Sequence, residues 1–261
     1  MTKRSQSTMH KKEDKIMSKA LPLLAVIFLL GIWQAVCALK LVPAFMLPSP
    51  MKIAQALSND AWLLMKHLQA TLSEAAVGLM VGVWIGFIMA ALMDRFYLLR
   101  KTVYPLLILT QTVPTVAIAP LLVLWFGYGM LPKIILIALV TFFPMAVGLL
   151  DGFQSVDKDL LKLMHSMGAN DLQILIHVKI PQAFGEFFSG LKIAVAYAIV
   201  GAVIAEWLGG FLGLGVYMTR VRKAYAYDKM FAVIFLISAI SLVLVWLVNI
   251  LQKKCMPWAE K

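Results

Sequence analysis

Apolar residues fill this chain in runs of nearly twenty, and polar residues are confined to the intervals between them. Six runs stand out: Leu21–Leu39, Ala75–Met93, Val103–Phe126, Ile134–Leu150, Ile193–Gly210 and Met230–Leu251. Stretches of this length match the hydrocarbon thickness of a bilayer, where a helix satisfies its own backbone. The pattern predicts an all-α, polytopic membrane protein with six transmembrane helices. It divides the chain into an N-terminal tail (1–20), one transmembrane domain (21–251) and a C-terminal tail (252–261). The first run has no small-residue cleavage site after it, so it reads as a retained span.

Two intervals carry their own helical signals. After the first run, Pro48 and Pro50 interrupt the chain, and Pro50 suits a first helical turn. Ile53, Ala54, Leu57 and Ala61 then recur at helical spacing, which predicts a short helix along the outer surface. Between the fourth and fifth runs lies a polar loop, 151–192. In it Leu160, Leu161, Met164 and Met167 line one helical face. Ser155 or Asp157 suits the start of that helix, and Gly168 the left-handed position after its end. Asn170 caps a second short helix with Asp171 in its first turn, and Pro181 ends it.

Composition agrees: 62% of residues are hydrophobic and 14% charged, with a mean hydropathy of +0.87. The formal net charge of +11 does not indicate nucleic acid, because no basic patch is interleaved with aromatics on a soluble face. With the N-terminus inside, 16 of the 24 Lys and Arg fall in segments assigned to the cytoplasm. This excess predicts both termini and the 151–192 loop on the cytoplasmic side. The outer interval TRVRKAYAYDK resists the rule. Its Arg220, Arg222 and Lys223 suit either lipid head groups or a docked partner. Cys37 lies in the first run and Cys255 at the end of the last, and they are not expected to pair.

The third run carries Pro105, Pro114 and Pro120 around the sequence TQTVPT. A proline in mid-membrane frees a carbonyl. Gln111, Thr112, Pro114 and Thr115 therefore read either as part of a wet path or as a kink packed by small residues. Glu206 is an ionisable residue within the fifth run. It reads either as a group paired near Trp207 at the interface or as one facing the path. No phosphate-binding loop, nucleophile elbow, acid–base carboxylate pair or metal-ligand spacing is present, so neither catalytic residues nor a metal is expected in this chain.

The segment MGANDLQILIHVKIP resembles the cytoplasmic loop of permease subunits of bacterial binding-protein-dependent ABC importers. That loop carries Glu-Ala-Ala, three residues, Gly, nine residues, then a closing Ile-x-Leu-Pro. Here Gly168 leads to Val178-Lys179-Ile180-Pro181. LPSP, QTVPTVAIAPLLVLWFGYG and AEWLGGFLGLGVY are similar to the nitrate/sulfonate/taurine branch. The resemblance implies that Asp159, Lys162, Leu163, Met164, Gly168, Ala169 and Pro181 lie in a coupling loop that enters an ATPase subunit. ATP and magnesium would sit on that partner. It also implies an extracytoplasmic binding protein, a second permease chain (expected to give a homodimer) and a place in the bacterial cytoplasmic membrane. KLMHSMGA, SGLKIA and GLGVYMTRV look closest to permeases for thiamine-pyrimidine precursors, with sulfonates, taurine or nitrate open. One departure stands out: the usual glutamate is Lys162. A secondary, ion-coupled transporter is the alternative, and it would need more intramembrane ionisable residues than Glu74 and Glu206.

Overall fold

The computed structural model describes residues 21, 24–43 and 46–257. The tail 1–20 and the last residues of the chain lie outside that range. The described residues are helical throughout, as the apolar runs require. They form two compact units: the residues up to Asp60 with Val221–Ala232, and Ala61–Arg220 with Val233 onward.

In the first unit, α1 (Leu24–Ala38) is apolar but about 22 Å long, short of a hydrocarbon core of roughly 30 Å. Helix α2 (Pro50–Asn59) starts where the prolines predict, with Pro50 in its first turn and the Ser49 hydroxyl accepting from the Lys52 N–H. It buries Ile53 and Ala56 against Trp33, Leu57 and Phe231. Ala54, expected on that face, is exposed. Asp60 pairs with Lys229 at 2.7 Å.

The second unit is built on α3 (Ala61–Arg95), α4 (Tyr97–Thr110), α5 (Thr115–Phe126), α6 (Met130–Gln154) and α7 (Lys158–Ser166). It continues with α8 (Asp171–Ile174), a π-turn (Leu175–Lys179), α9 (Ile180–Gln182), α10 (Phe184–Trp207), α11 (Leu214–Lys223) and α12 (Tyr227–Cys255). The last two extend into the first unit. Among the described residues, α3, α6, α10 and α12 are long and apolar enough to cross a membrane.

The expected third span is corrected. It is not one rod over Val103–Phe126 but two helices, α4 and α5, bent by 98° at Gln111–Pro114. Of its three prolines only Pro114 breaks the helix; α4 and α5 run through Pro105 and Pro120. The difference lies in the neighbours. Thr110 and Thr112 donate to the carbonyls of Leu107 and Leu109 at 2.6 and 2.8 Å, competing with the helical ladder just where Val113 must be extended before Pro114. Counting the bent pair as one span gives five. The fifth run also ends early: α10 stops at Trp207, and Gly209, Gly210 and Gly213 follow with positive φ.

One stripe of α3 faces inward: His67, Thr71, Glu74, Gly78, Gly82, Gly86, Ala90 and Met93. Its small middle lets α6 approach. A Cβ on Gly82 would stand 2.0 Å from the Thr141 Oγ1, and one on Gly78 2.5 Å from Ile137. Lipid offers no hydrophobic drive between helices, so such close backbone contact holds them together. Gly82→Val is expected to destabilise the protein by at least about 1–3 kcal/mol through overpacking, read as a lowered unfolding midpoint in detergent. Gly31→Ala, whose new Cβ meets nothing within 4 Å, is the control that leaves the midpoint near that of the unaltered chain.

Candidate coupling and transport sites

The polar loop is ordered by local hydrogen bonds from end to end. Asp157, one of the two expected caps, opens α7 by accepting from the Asp159 N–H at 2.8 Å. Gly168 closes it with φ +85°, while the N–H groups of Gly168 and Ala169 reach back to the carbonyls of His165 and Met164. This is the left-handed helix end that glycine favours. Asn170 and Gln173 then exchange bonds in a capping box, each at 2.8 Å. Pro181 does not end the second helix as expected. The chain runs helically from Asp171 towards α10, and the turn before Pro181 widens so that the Ile180 N–H bonds the Leu175 carbonyl. A proline ring clashes with the carbonyl four residues back, and the widened turn relieves that crowding.

The loop is also fastened to α3, a contact that sequence reasoning missed. Lys179 pairs with Asp94 at 2.6 Å, and Arg95 pairs with Asp171. His165 Nε2 lies 3.5 Å from the same Asp171. The Lys179–Asp94 pair is mostly shielded from solvent, so it contributes more than the half-exposed Arg95–Asp171 pair. The signal in the sequence was the Asp94-Arg95 doublet at the end of an apolar run.

Apolar residues of α7 face both ways, not one way as expected. Leu161 and Met164 are half-buried. Leu160, Leu163 (56% exposed) and Met167 (74% exposed) point out, and Leu172 after the glycine is exposed too. Lys162 pairs with Asp159 at 2.8 Å, both well exposed. Ala169 is half-buried and Pro181 exposed.

Gln111, Pro114 and Thr115 share a groove of about 310 Å³ with Val113, Val140, Tyr197, Val200, Gly201 and Ile204. Thr112 is not part of it; its hydroxyl stays on the Leu109 carbonyl. Glu206 lies elsewhere and is 1% exposed. Its Oε1 accepts from the Thr71 hydroxyl at 2.7 Å and its Oε2 from the Gly215 N–H at 2.6 Å. Thr71 Oγ1 accepts in turn from the Leu214 N–H at 2.8 Å, and His67 Nδ1 from the Gly213 N–H at 3.0 Å. The carboxylate thus meets the first turn of α11, where the unpaired N–H groups and helix dipole favour negative charge. Gly213 is required there: a Cβ would lie 2.3 Å from the Glu206 Cδ. A second buried pair, Lys133 with Glu74 at 2.6 Å, joins α6 to α3. His67 and Thr71 were not anticipated, because nothing in their local sequence marks a partner more than a hundred residues away. On α11, Arg220 donates to the Phe211 carbonyl at 3.0 Å, and Arg222 and Lys223 are exposed.

Residues 82–256 match the family described as binding-protein-dependent transport system inner membrane component. A probable ABC transporter permease protein of Haemophilus influenzae is 40% identical over 85% of this chain and 91% of its own length. The formylaminopyrimidine transport permease protein of Halalkalibacterium halodurans is 34% identical over 92% and 96%. The taurine transport system permease protein of Escherichia coli is 31% identical over 88% and 86%. Among solved structures, a bacterial ABC transporter involved in alginate import superposes with a TM-score of 0.62 at 16% identity, covering 95% of this chain and 99% of that one. The MetNI methionine ABC transporter gives 0.65 at 19%, covering 76% and 96%. With a continuous match over the membrane helices and the polar loop, the chain belongs to the binding-protein-dependent transport system inner membrane component family and is a multi-pass permease subunit of an ABC importer.

Proposed function

We propose that two copies of this chain pair as a homodimer around a path for a small polar solute, and that 157–182 is the segment each copy seats in an ATPase subunit. The observation that carries this reading is the build of that segment: it is locked internally by caps, ion-paired to α3 through Asp94 and Arg95, and apolar on its outward side. A lever needs both a rigid body and a surface for its driver. Asp159, Lys162, Leu163, Met164, Gly168, Ala169 and Pro181 shape that surface. ATP and magnesium belong to the ATPase. The solute arrives from an extracytoplasmic binding protein, which meets the outer basic turn with Arg220, Arg222 and Lys223. Relatives carry formylaminopyrimidine, taurine and aliphatic sulfonates, and a solute of one of these kinds is the reading for this chain.

In this reading both termini lie in the cytoplasm. Two groups of contacts support the sidedness. Asp94 and Arg95 bond the loop assigned inside, and Asp60 bonds Lys229, both assigned outside. In a Cys37→Ser, Cys255→Ser background, Tyr225→Cys is expected to react with an impermeant maleimide on intact cells. Reaction only after permeabilisation reverses the orientation.

Gly168→Val forces a β-branched residue into positive φ, at about 1–2 kcal/mol. Nothing lies within 4 Å of the added Cβ, so the strain is in the backbone alone. The variant is expected to insert normally and to lose most ATPase co-purification, whereas Gly168→Asn, which tolerates that conformation, retains it. Unchanged co-purification and uptake by Gly168→Val removes the loop from coupling.

Arg222→Glu is expected to raise the binding-protein concentration for half-maximal ATPase stimulation by about tenfold at low salt, with the gap closing at high salt. Identical titrations in proteoliposomes at low salt assign the basic turn to lipid head groups instead.

A further inference from the structure

Helix α4 is held to its unit by little of its own surface: of its 14 residues only Leu107 is buried. It begins just after Asp94 and Arg95, at the end of the molecule where the polar loop is fastened. There Phe96, Tyr97 and Leu98 are each more than half exposed. Aromatic residues gathered at the end of an apolar run suit the boundary between lipid and water. Beside them a recess of about 400 Å³ opens between α4 and α6, with Tyr97, Arg100, Lys101 and Tyr104 on one wall and Leu150 and Asp151 on the other.

We propose that this recess seats the head group of an anionic phospholipid, with its phosphate at Arg100 and Lys101 and its acyl chains on the apolar strip that continues from the recess. The two cations are free to take it. Nearby Arg95 and Lys179 are both ion-paired, but among the described residues neither Arg100 nor Lys101 has an acidic partner. The half-buried Arg100 guanidinium stands over the Tyr97 ring at 5.8 Å. That contact steadies the side chain without consuming its N–H donors. Along both helices the same faces then turn apolar. On α4, Ile108 follows Tyr104 by one helical turn and is 48% exposed. On α6, Phe143 and Val147 precede Leu150 on its own side and are half-buried.

Charge and shape together select the occupant. Asp151 is the one carboxylate lining the recess, so its cations are in excess. A guanidinium matches phosphate oxygens in pairs, and a lysine adds a second, adjustable charge. Each basic residue facing an anionic lipid surface is worth roughly a fivefold gain in affinity. A second copy of the chain does not suit the site. Two-fold pairing over the recess would set Arg100 and Lys101 against the same cations of the other copy, and like charges repel. A free phosphate would engage the cations but leave the strip of Ile108, Phe143 and Val147 uncovered, whereas a lipid engages both. A lipid laid across α4 and α6 also supplies contact that α4 lacks within its own unit.

The test uses the permease assembled with its ATPase in detergent. Native mass spectrometry follows titration with dioleoylphosphatidylglycerol or with dioleoylphosphatidylcholine. The anionic lipid is expected to bind about tenfold more tightly, and Arg100→Gln and Lys101→Gln each to weaken it about fivefold. Neither substitution should alter binding of the zwitterionic lipid. Lys254→Gln, in the exposed last turn of α12, controls for net charge and should leave both affinities unchanged. The Lys101 side chain is exposed, so Lys101→Gln keeps the test decisive should Arg100→Gln fail to assemble. Equal affinities for the two lipids, or an equal loss in Lys254→Gln, overturn the lipid seat. Displacement of the anionic lipid by inorganic phosphate also overturns it and marks a free-anion site. Binding to the permease alone but not to the complex overturns it too, and makes the recess an ATPase contact. A complex that hydrolyses ATP in response to binding protein yet shows no lipid preference sinks the lipid seat and leaves the importer assembly standing.

Discussion

The glycine face of α3 lets side chains of α6 lie directly on its backbone, and most of the second unit follows from that approach. Gly78, Gly82, Gly86 and Ala90 give α3 a bare face, and Ile137, Thr141 and Met145 of α6 fill the space a side chain would need. Dispersion over such a contact is weak per atom but large in sum. The approach also fixes the rotation of α3 about its axis. Residues on the same stripe then face inward along its whole length, from His67, Thr71 and Glu74 near its start to Met93 near its end. Its 35 residues span about 52 Å, well beyond a hydrocarbon core of roughly 30 Å. One helix therefore delivers polar groups to the Glu206 anchor near its start and charged groups to the polar loop near its end.

The charges at the two ends behave differently because their surroundings do. Near the start of α3, Glu206 is fully enclosed, and both its oxygens are occupied by the Thr71 hydroxyl and the Gly215 N–H. A buried carboxylate left without such partners carries a large desolvation penalty. Glu206, Thr71, His67 and the glycines of the α10–α11 turn therefore form one unit: removing any member strands the others. Glu74 and Lys133 follow the same logic.

Much of this was legible in the sequence, and the exceptions have physical causes. Apolar runs located α3, α6, α10 and α12, because a bilayer demands length and hydropathy at once. Caps were legible because they act over three or four residues: Ser49, Asp157, Gly168 and Asn170 all lie where local rules put them. The extension of α3 back to Ala61 was missed, since Lys66, His67 and Glu74 made that stretch look like an outer loop. The right-angle break at Gln111–Pro114 was underestimated, since Pro105 and Pro120 carry the same local signal without breaking their helices. Groups that depend on distant partners, such as His67 with Gly213, left no local trace, and for Lys179 with Asp94 the Asp94-Arg95 doublet marked only one side of the contact. The glycine stripe was visible at its four-residue spacing but becomes informative only once α6 is known to lie on it.

Rigidity and breakage are divided between neighbouring helices. No proline interrupts α3, so a displacement at its C-terminal end is carried along its length, while α4 and α5 bend apart and leave the groove. The C-terminal end of α3 is held to the loop chiefly by Lys179–Asp94, the shielded pair, and only secondarily by Arg95–Asp171. Lys162, which stands where the loop pattern this segment resembles has glutamate, takes no part in that brace. It pairs with Asp159 on the opposite, solvated side of α7, where an ion pair contributes little to stability. The departure from the family pattern therefore leaves the inward fastening of the loop untouched. It alters only the charge offered to the proposed ATPase cleft, so any compensating change belongs on the partner and not in this chain.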